Sequence, residues 1–296
     1  MELEVKGKML FDEPLSAHTS LHLGGKARYF LMSADADDIS EAVSFAREEG
    51  LTSFVMGKGS NILFSDEGFS GIIICTENMR KLDVYNNKLT AQAGAGLSEA
   101  INVAKESSLS GFESLSGIPG SVGGASVMNA GAFGCEIGNY IKSVKVLRDG
   151  EEVKLTDIRF DYRQSSFSDE IVIEVEFSLT EREKREIENK IKEINTLRKE
   201  RQPLSSKESG TCGSVFKNPE GLAAGKLIEK SGCKGMKIGG ARVSEKHCNY
   251  FLTHPGATSR DFIELIKVVR DEVERKLGIA LELEVKIIGK EKEVDI

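Results

Sequence analysis

Two glycine-rich segments carry the residue types best suited to holding a phosphate-bearing ligand, and a third resembles them. Gly57-Lys58-Gly59-Ser60-Asn61 follows a run of strand-forming residues. Glycines let successive backbone N–H groups face one concavity, and Ser60 adds a hydroxyl donor. An ordinary strand-to-strand turn would be glycine-rich too, and the spacing is not that of the G-x-x-x-x-G-K-[ST] phosphate loop. Ser116-Gly117-Ile118-Pro119-Gly120-Ser121-Val122-Gly123-Gly124-Ala125 is denser in small residues. Such a stretch admits either a flat or charged ligand or a close crossing of backbone on backbone. Gly94-Ala95-Gly96 lies between a strand and a helix, but Glu99 takes the third glycine place of a dinucleotide fingerprint. A tight turn opening a helix is expected there.

Two polar clusters and one strand could supply the chemistry. In Tyr162-Arg163-Gln164-Ser165-Ser166-Phe167, Arg163 either grips a carboxylate in a bidentate fork or sits on the surface. Gly213-Ser214-Val215-Phe216-Lys217-Asn218-Pro219 has no G-x-S-x-G elbow around Ser214, so an acyl-transfer nucleophile is not indicated. The Ser214 hydroxyl could still donate a proton, or simply serve a turn. In the last strand, alternation over 281–287 puts Leu281, Leu283 and Val285 on one face and Glu282 and Glu284 on the other, a pattern that also suits a solvated face. The five cysteines form no C-x-x-C and the four histidines no H-x-x-x-H, so neither a disulfide framework nor a metal site is expected.

These segments need a scaffold, and 296 residues that are 40% hydrophobic can build two or three cored units. A net charge of −7 argues against a general nucleic-acid surface. Apolar runs of about 18 residues, the length of a membrane span, are missing. The opening MELEVKGKML does not read as a secretory signal, so the cytoplasm is the expected compartment. Periodicity predicts helices over 38–49, 98–107, 181–201, 222–231 and around Phe262, Ile266, Val269 and Val273. Strands are predicted over 52–56, 71–75, 144–147, 153–155, 171–179, 249–253 and 281–288, and as a hairpin across Asn86-Asn87 within 81–93. The mixture suggests an α+β fold with a domain boundary near residue 200.

In their order, these segments resemble one family, UDP-N-acetylenolpyruvoylglucosamine reductase of bacterial cell-wall synthesis. The resemblance runs from Thr19-Ser20-Leu21-His22-Leu23-Gly24-Gly25 through both long glycine segments. It continues through Met128-Asn129-Ala130-Gly131-Ala132-Phe133-Gly134, the Arg163 and Ser214 segments, Ile238-Gly239-Gly240-Ala241 and the Glu284 strand. It implies a two-lobed FAD-binding domain of the vanillyl-alcohol-oxidase type, with subdomains 1–80 and 81–200, followed by an α+β substrate domain over 201–296.

The roles it implies are an FAD site at Gly57, Gly59, Ser60, Asn61, Pro119, Gly120, Ser121, Gly123 and Gly124, and a catalytic set of Arg163, Ser214 and Glu284. Tyr162, Lys217, Asn218, Lys234 and His247 would contact substrate. The implied reaction is NADPH-dependent reduction of a UDP-sugar enolpyruvyl ether by a monomer that uses neither nucleic acid, membrane nor metal. Leu283 stands where the family usually has proline. Cys212 replaces a common alanine two residues from Ser214, which predicts sensitivity to thiol reagents. Two other readings stay open: an alcohol oxidase on the same fold, against which neither glycine segment offers a histidine to tether flavin, and a binding module without flavin.

Overall fold

The computed structural model describes residues 3–203, 206 and 209–296. It divides into two compact units, each assembled from separate stretches of chain. The first comprises Met1–Leu10, Phe30–Lys58 and Ile72–Arg198; the second comprises Phe11–Tyr29, Gly59–Gly71 and Lys199–Ile296.

The first unit is built on a five-stranded antiparallel sheet in the order Glu151–Leu155, Ile141–Arg148, Ile171–Ser178, Lys88–Gln92, Leu82–Tyr85. The hairpin at Asp149-Gly150 forms because both residues adopt left-handed φ, +51° and +84°, the geometry whose twist matches the flanking strands. Along Ile171–Ser178 the buried residues are Val172, Ile173, Val175 and Phe177. Two neighbours can both be buried because the pairing with Ile141–Arg148 shifts register between Lys145 and Val146. Helices Leu97–Glu106 and Val122–Val127 supply Ala100, Ile101, Val122 and Ala125 to the core that these strands build. Helix Leu97–Glu106 starts where the Gly96 N–H donates to the Glu99 carboxylate at 2.8 Å. That bond, with Arg80 assisting, holds the Glu99 carboxyl below its usual range. Gly94-Ala95-Gly96 is thus the helix-opening turn expected.

A four-stranded sheet has the order Lys8–Pro14, Lys26–Met32, Phe69–Cys75, Ser53–Met56, with the last two strands parallel. The first two strands were not anticipated. Lys8–Pro14 buries none of its residues fully, so as an edge strand it shows no alternation of period two. Beside it, helix Ala36–Glu48 is capped by Asp35, whose side chain accepts from the Asp38 N–H at 3.2 Å. Asp38, buried, accepts from the backbone of Lys6, Gly7 and Ala34 at 2.7, 2.8 and 2.7 Å.

The second unit packs around helix Ser259–Leu277. Thr258 and Asp261 cap each other reciprocally at 3.1 Å, and Gly278 ends the helix with φ +68°. Its stripe of Phe262, Leu265, Ile266, Val269 and Val273 is fully buried, each side chain contributing about 1.5–3 kcal/mol. Against it lie a three-stranded sheet, Lys237–Ile238, Ala241–Val243 and Phe251–Thr253, and the buried Val215, Phe216, Leu281 and Val285. The predicted strand 281–288 is regular only over Lys286–Ile288, which pairs in parallel with Ile62–Phe64. Upstream the same segment pairs instead with residues 215–217, and the change of partner interrupts the ladder. Among the described residues no helix is long and apolar enough to cross a membrane.

Phe262 touches Phe251 with ring centroids 5.8 Å apart. Phe262→Ala should therefore destabilise the protein by about 3–5 kcal/mol in chemical denaturation. A loss below about 1 kcal/mol would show that the helix is not the keystone of this core.

Candidate active site

In the first unit the glycine segments meet. A Cβ on Gly57 would lie 2.0 Å from Ser121 Oγ, and one on Gly123 would lie 2.8 Å from the Ala93 Cβ. The backbone at 93–97 runs beside 120–123: Leu97 N donates to Gly120 O at 3.0 Å, Val122 N to Ala95 O at 2.8 Å and Gly123 N to Ala93 O at 2.8 Å. The backbone crossing therefore leaves no room for a side chain at Gly123, and the Ser121 side chain leaves none at Gly57. Gly120 has φ +132°, a conformation that a side chain would strain. Gly124 differs, because a Cβ there would meet nothing closer than Ser121 Oγ at 3.4 Å. Ser121 is buried and its hydroxyl accepts from the Gly124 N–H. Pro119 precedes this cradle, and Ile118 N closes back on Leu115 O at 3.0 Å.

The other half of the first glycine turn belongs to the second unit. Gly59 has φ +55° and its carbonyl accepts from Ser20 N at 3.2 Å. The Ser60 carbonyl accepts from Ser20 Oγ at 3.3 Å, and Asn61 Nδ2 donates to the Glu284 carbonyl at 2.8 Å. Ser20 Oγ also donates to Thr211 O at 2.8 Å. The Thr19-Ser20 motif and the turn are thereby tied to the strand that carries Glu284.

Ser214 and Glu284 lie on neighbouring segments of that unit. Glu284 N donates to Val215 O at 2.8 Å, and Lys217 N to Glu282 O at 2.8 Å. Phe216 bridges Leu283, and the bonds flanking that bridge come from the amides of Lys217 and Glu284, so the pairing does not depend on whether leucine or proline stands at 283. On the other side Ser214 bridges Tyr250. Gly213, with φ +80°, has nothing within 4 Å of a Cβ position, which leaves space beside Ser214.

Arg163 belongs to the first unit, so the three predicted catalytic residues are divided between the units. It sits at the tip of the hairpin formed by Phe160–Asp161 and Gln164–Ser165, with φ +59°. A non-glycine residue in that region stores strain, which persists only where its surroundings hold it. The holding contacts are Arg163 Nη2 to Gly131 O at 3.1 Å, Asn129 Nδ2 to Asp161 O at 2.9 Å and Ser165 Oγ to Val127 O at 2.9 Å. The guanidinium lies 4.8 Å over the Tyr162 ring.

The remaining predicted contacts, apart from Tyr162, lie in the second unit. Lys217 Nζ is 3.4 Å from Glu282 and Lys234 Nζ is 2.7 Å from Glu229. Both pairs are exposed, so solvent screens them and a phosphate can compete for either lysine. Asn218 Oδ1 accepts from Ala224 N at 2.9 Å. Burial lowers the His247 pKa, and its Nδ1 is buried without a hydrogen-bond partner. That ring packs edge-on to Tyr250, centroids 4.7 Å apart.

The donor set suits FAD. Lys58 provides a cation beside Gly96, Ser121 a hydroxyl, and Gly124 an open backbone surface. Lys58 was passed over in the sequence because a lone lysine in a glycine turn is unremarkable. Arg198 was missed as well. It falls on a helix predicted from its isoleucines, yet it is buried, 5.3 Å from the Phe133 ring and against Gly117. From the same helix, Asn195 Oδ1 accepts from Ser116 Oγ at 3.0 Å, so helix Lys184–Arg201 braces the second glycine segment.

Comparison with known proteins gives two family matches. Residues 27–156 match the FAD binding domain family, and residues 202–288 match the UDP-N-acetylenolpyruvoylglucosamine reductase C-terminal domain. The chain is 42% identical over 291 residues to the UDP-N-acetylenolpyruvoylglucosamine reductase of Exiguobacterium sibiricum, covering 97% of this chain and 95% of that one. It is 39% identical over 293 residues to the reductase of Caldanaerobacter subterraneus subsp. tengcongensis, covering 97% and 96%. The crystal structure of the reductase from Thermus caldophilus superimposes with a TM-score of 0.81 at 31% identity, over 96% of this chain and 99% of that one. A more distant likeness, in fold alone, is to 6-hydroxy-D-nicotine oxidase of Arthrobacter nicotinovorans: TM-score 0.50, 15% identity, 96% of this chain and 63% of that one. The fold is of the vanillyl-alcohol-oxidase type with a C-terminal α+β domain, and the chain belongs to the UDP-N-acetylenolpyruvoylglucosamine reductase family.

Proposed function

We propose that Arg163, Ser214 and Glu284 carry the NADPH-dependent reduction of the enolpyruvyl ether of UDP-N-acetylglucosamine to UDP-N-acetylmuramate, a step of bacterial peptidoglycan precursor synthesis. The observation that supports this most is the backbone pairing that sets Val215, the residue after Ser214, across from Glu284, next to the open space at Gly213. Bound FAD supplies the hydride, taken from NADPH and delivered to the terminal enolpyruvyl carbon. Its site in this proposal is Gly57, Gly59, Ser60, Asn61, Pro119, Gly120, Ser121, Gly123 and Gly124, within 1–80 and 81–200. The substrate belongs to 201–296.

Once hydride reaches the terminal carbon, an electron pair shifts onto the substrate carboxylate. The Arg163 guanidinium stabilises that charge, and Glu284 in its protonated form helps to fix the carboxylate. The Ser214 hydroxyl then gives its proton to the carbon bearing the carboxylate and recovers one from solvent. Serine is a weak acid, so the step requires a preorganised site that excludes bulk water. Lys217 and Lys234 offer charge to the diphosphate, Tyr162 and Asn218 line the substrate, and His247, neutral at pH 7, presents an uncharged ring. We place the reaction in the cytoplasm and assign it to a monomer.

Ser214→Ala should leave bleaching of the flavin by NADPH intact and stop its return to yellow on adding the enolpyruvyl ether. Loss of both half-reactions in a folded, flavin-replete variant would contradict the proton-donor role. Cys212 reverses the expectation drawn from its position. It is buried, and its thiol is pushed up to about 12, chiefly by burial. Near pH 7 the thiolate is then on the order of one part in 10⁵. Iodoacetamide should leave Cys212 unmodified in the folded enzyme by mass spectrometry. Modification at the rate of a free thiol, with loss of activity, would contradict this.

A further inference from the structure

Asn249 was not singled out in the sequence, yet it is buried, at 1% exposure, and its amide is spent entirely on one neighbour. Its Oδ1 accepts from Phe216 N at 3.0 Å and its Nδ2 donates to Phe216 O at 2.8 Å. The Phe216 N–H fixes the amide's orientation, since only the oxygen can face a donor. Its backbone carbonyl accepts from Val215 N at 2.9 Å, and the next residue, Tyr250, bridges Ser214. The segment 214–217 is therefore a central strand. One side pairs with 282–284 by backbone alone; on the other, the Asn249 side chain replaces the missing stretch of ladder. Phe216 is fully buried, so without this clamp its amide and carbonyl would be left without partners in the core.

We infer that Asn249 is a positioning residue for the proton transfer from Ser214, holding the serine strand in register with Glu284. The inference rests on the proposed function. After hydride addition the carbon bearing the carboxylate is trigonal, and the configuration it acquires depends on the face from which the proton arrives. Ser214 protonates one face only while its strand is held. A shift of about 1 Å costs about 100-fold in such a step and lets solvent compete from either face.

Asn249→Asp keeps the size and the acceptor for Phe216 N, but at neutral pH it has no proton to give to Phe216 O. In the flavin-loaded variant, reoxidation by the enolpyruvyl ether should fall by about 100-fold, with bleaching by NADPH unchanged. Product formed in deuterium oxide should carry both configurations at the new centre by NMR, whereas wild type gives one. Lowering the pH until the aspartate is protonated restores the donor and should restore both the rate and the single configuration. In the cofactor-free protein the Phe216 amide should exchange faster than in wild type. If the aspartate variant does not fold, Asn249→Ala, which admits water to the Phe216 amide, serves for the same readings. Wild-type reoxidation with a single configuration in either folded variant overturns the inference. A wild-type enzyme that the ether fails to reoxidise overturns the proposed function, and the inference with it.

Discussion

The backbone pairing that traps residues 214–217 between 282–284 and 249–250 is the constraint on which the proposed proton transfer depends. A serine hydroxyl is a poor acid, and nothing in its own structure makes it a better one. In the proposed reaction its usefulness comes from a fixed place near Glu284, in a setting where its proton has one destination. Each of the three strands contributes one part of that setting. The first carries the hydroxyl, the second carries Glu284, and the third secures the first through a side-chain amide. Cys212 lies at the start of the same arrangement. Burial that silences its thiol is of a piece with the dry surroundings the proposed proton transfer requires.

The two units meet these demands by different means. In the first, small residues let the backbone at 93–97 and 120–123 approach closely enough to bond, with Gly57 against the Ser121 side chain and Lys58 beside Gly96. In the second, a capped helix and its apolar stripe support short, irregular strands whose partners change every few residues. The turn 57–61 runs from the first unit into the second, and Asn61 spends its amide on the carbonyl of Glu284. The turn and the strand that carries Glu284 are therefore joined at Asn61 by two hydrogen bonds, the second from Lys286 N to the Asn61 carbonyl at 3.0 Å.

Regular elements were legible in the sequence. The hairpin at Asp149-Gly150 and the helix bearing Phe262 follow from turn chemistry and from a clean apolar stripe. The edge strand Lys8–Pro14 was not, because exposure removes the alternation by which strands are read. Over 281–288 alternation marked one long strand, but pairing depends on partners remote in sequence, and the partner changes near residue 285. Composition left Arg163, Ser214 and Glu284 with bland alternatives, and what distinguished them was the ordered resemblance of the whole chain to one family. Asn249, Arg198 and Lys58 act through contacts with distant segments, and no local pattern announces them. At Gly57 and Gly123 a side chain would collide with Ser121 and Ala93, a close approach that composition alone does not distinguish from a ligand cradle.

The central claim is that one protein takes hydride from NADPH and delivers it to an enolpyruvyl ether. An anaerobic absorbance titration of the purified, FAD-loaded protein tests it most directly, with NADPH added first and UDP-N-acetylglucosamine enolpyruvate second. The account predicts that the yellow colour is lost with NADPH and returns with one equivalent of the ether. A protein that bleaches with NADPH and stays bleached after the ether is added would contradict it.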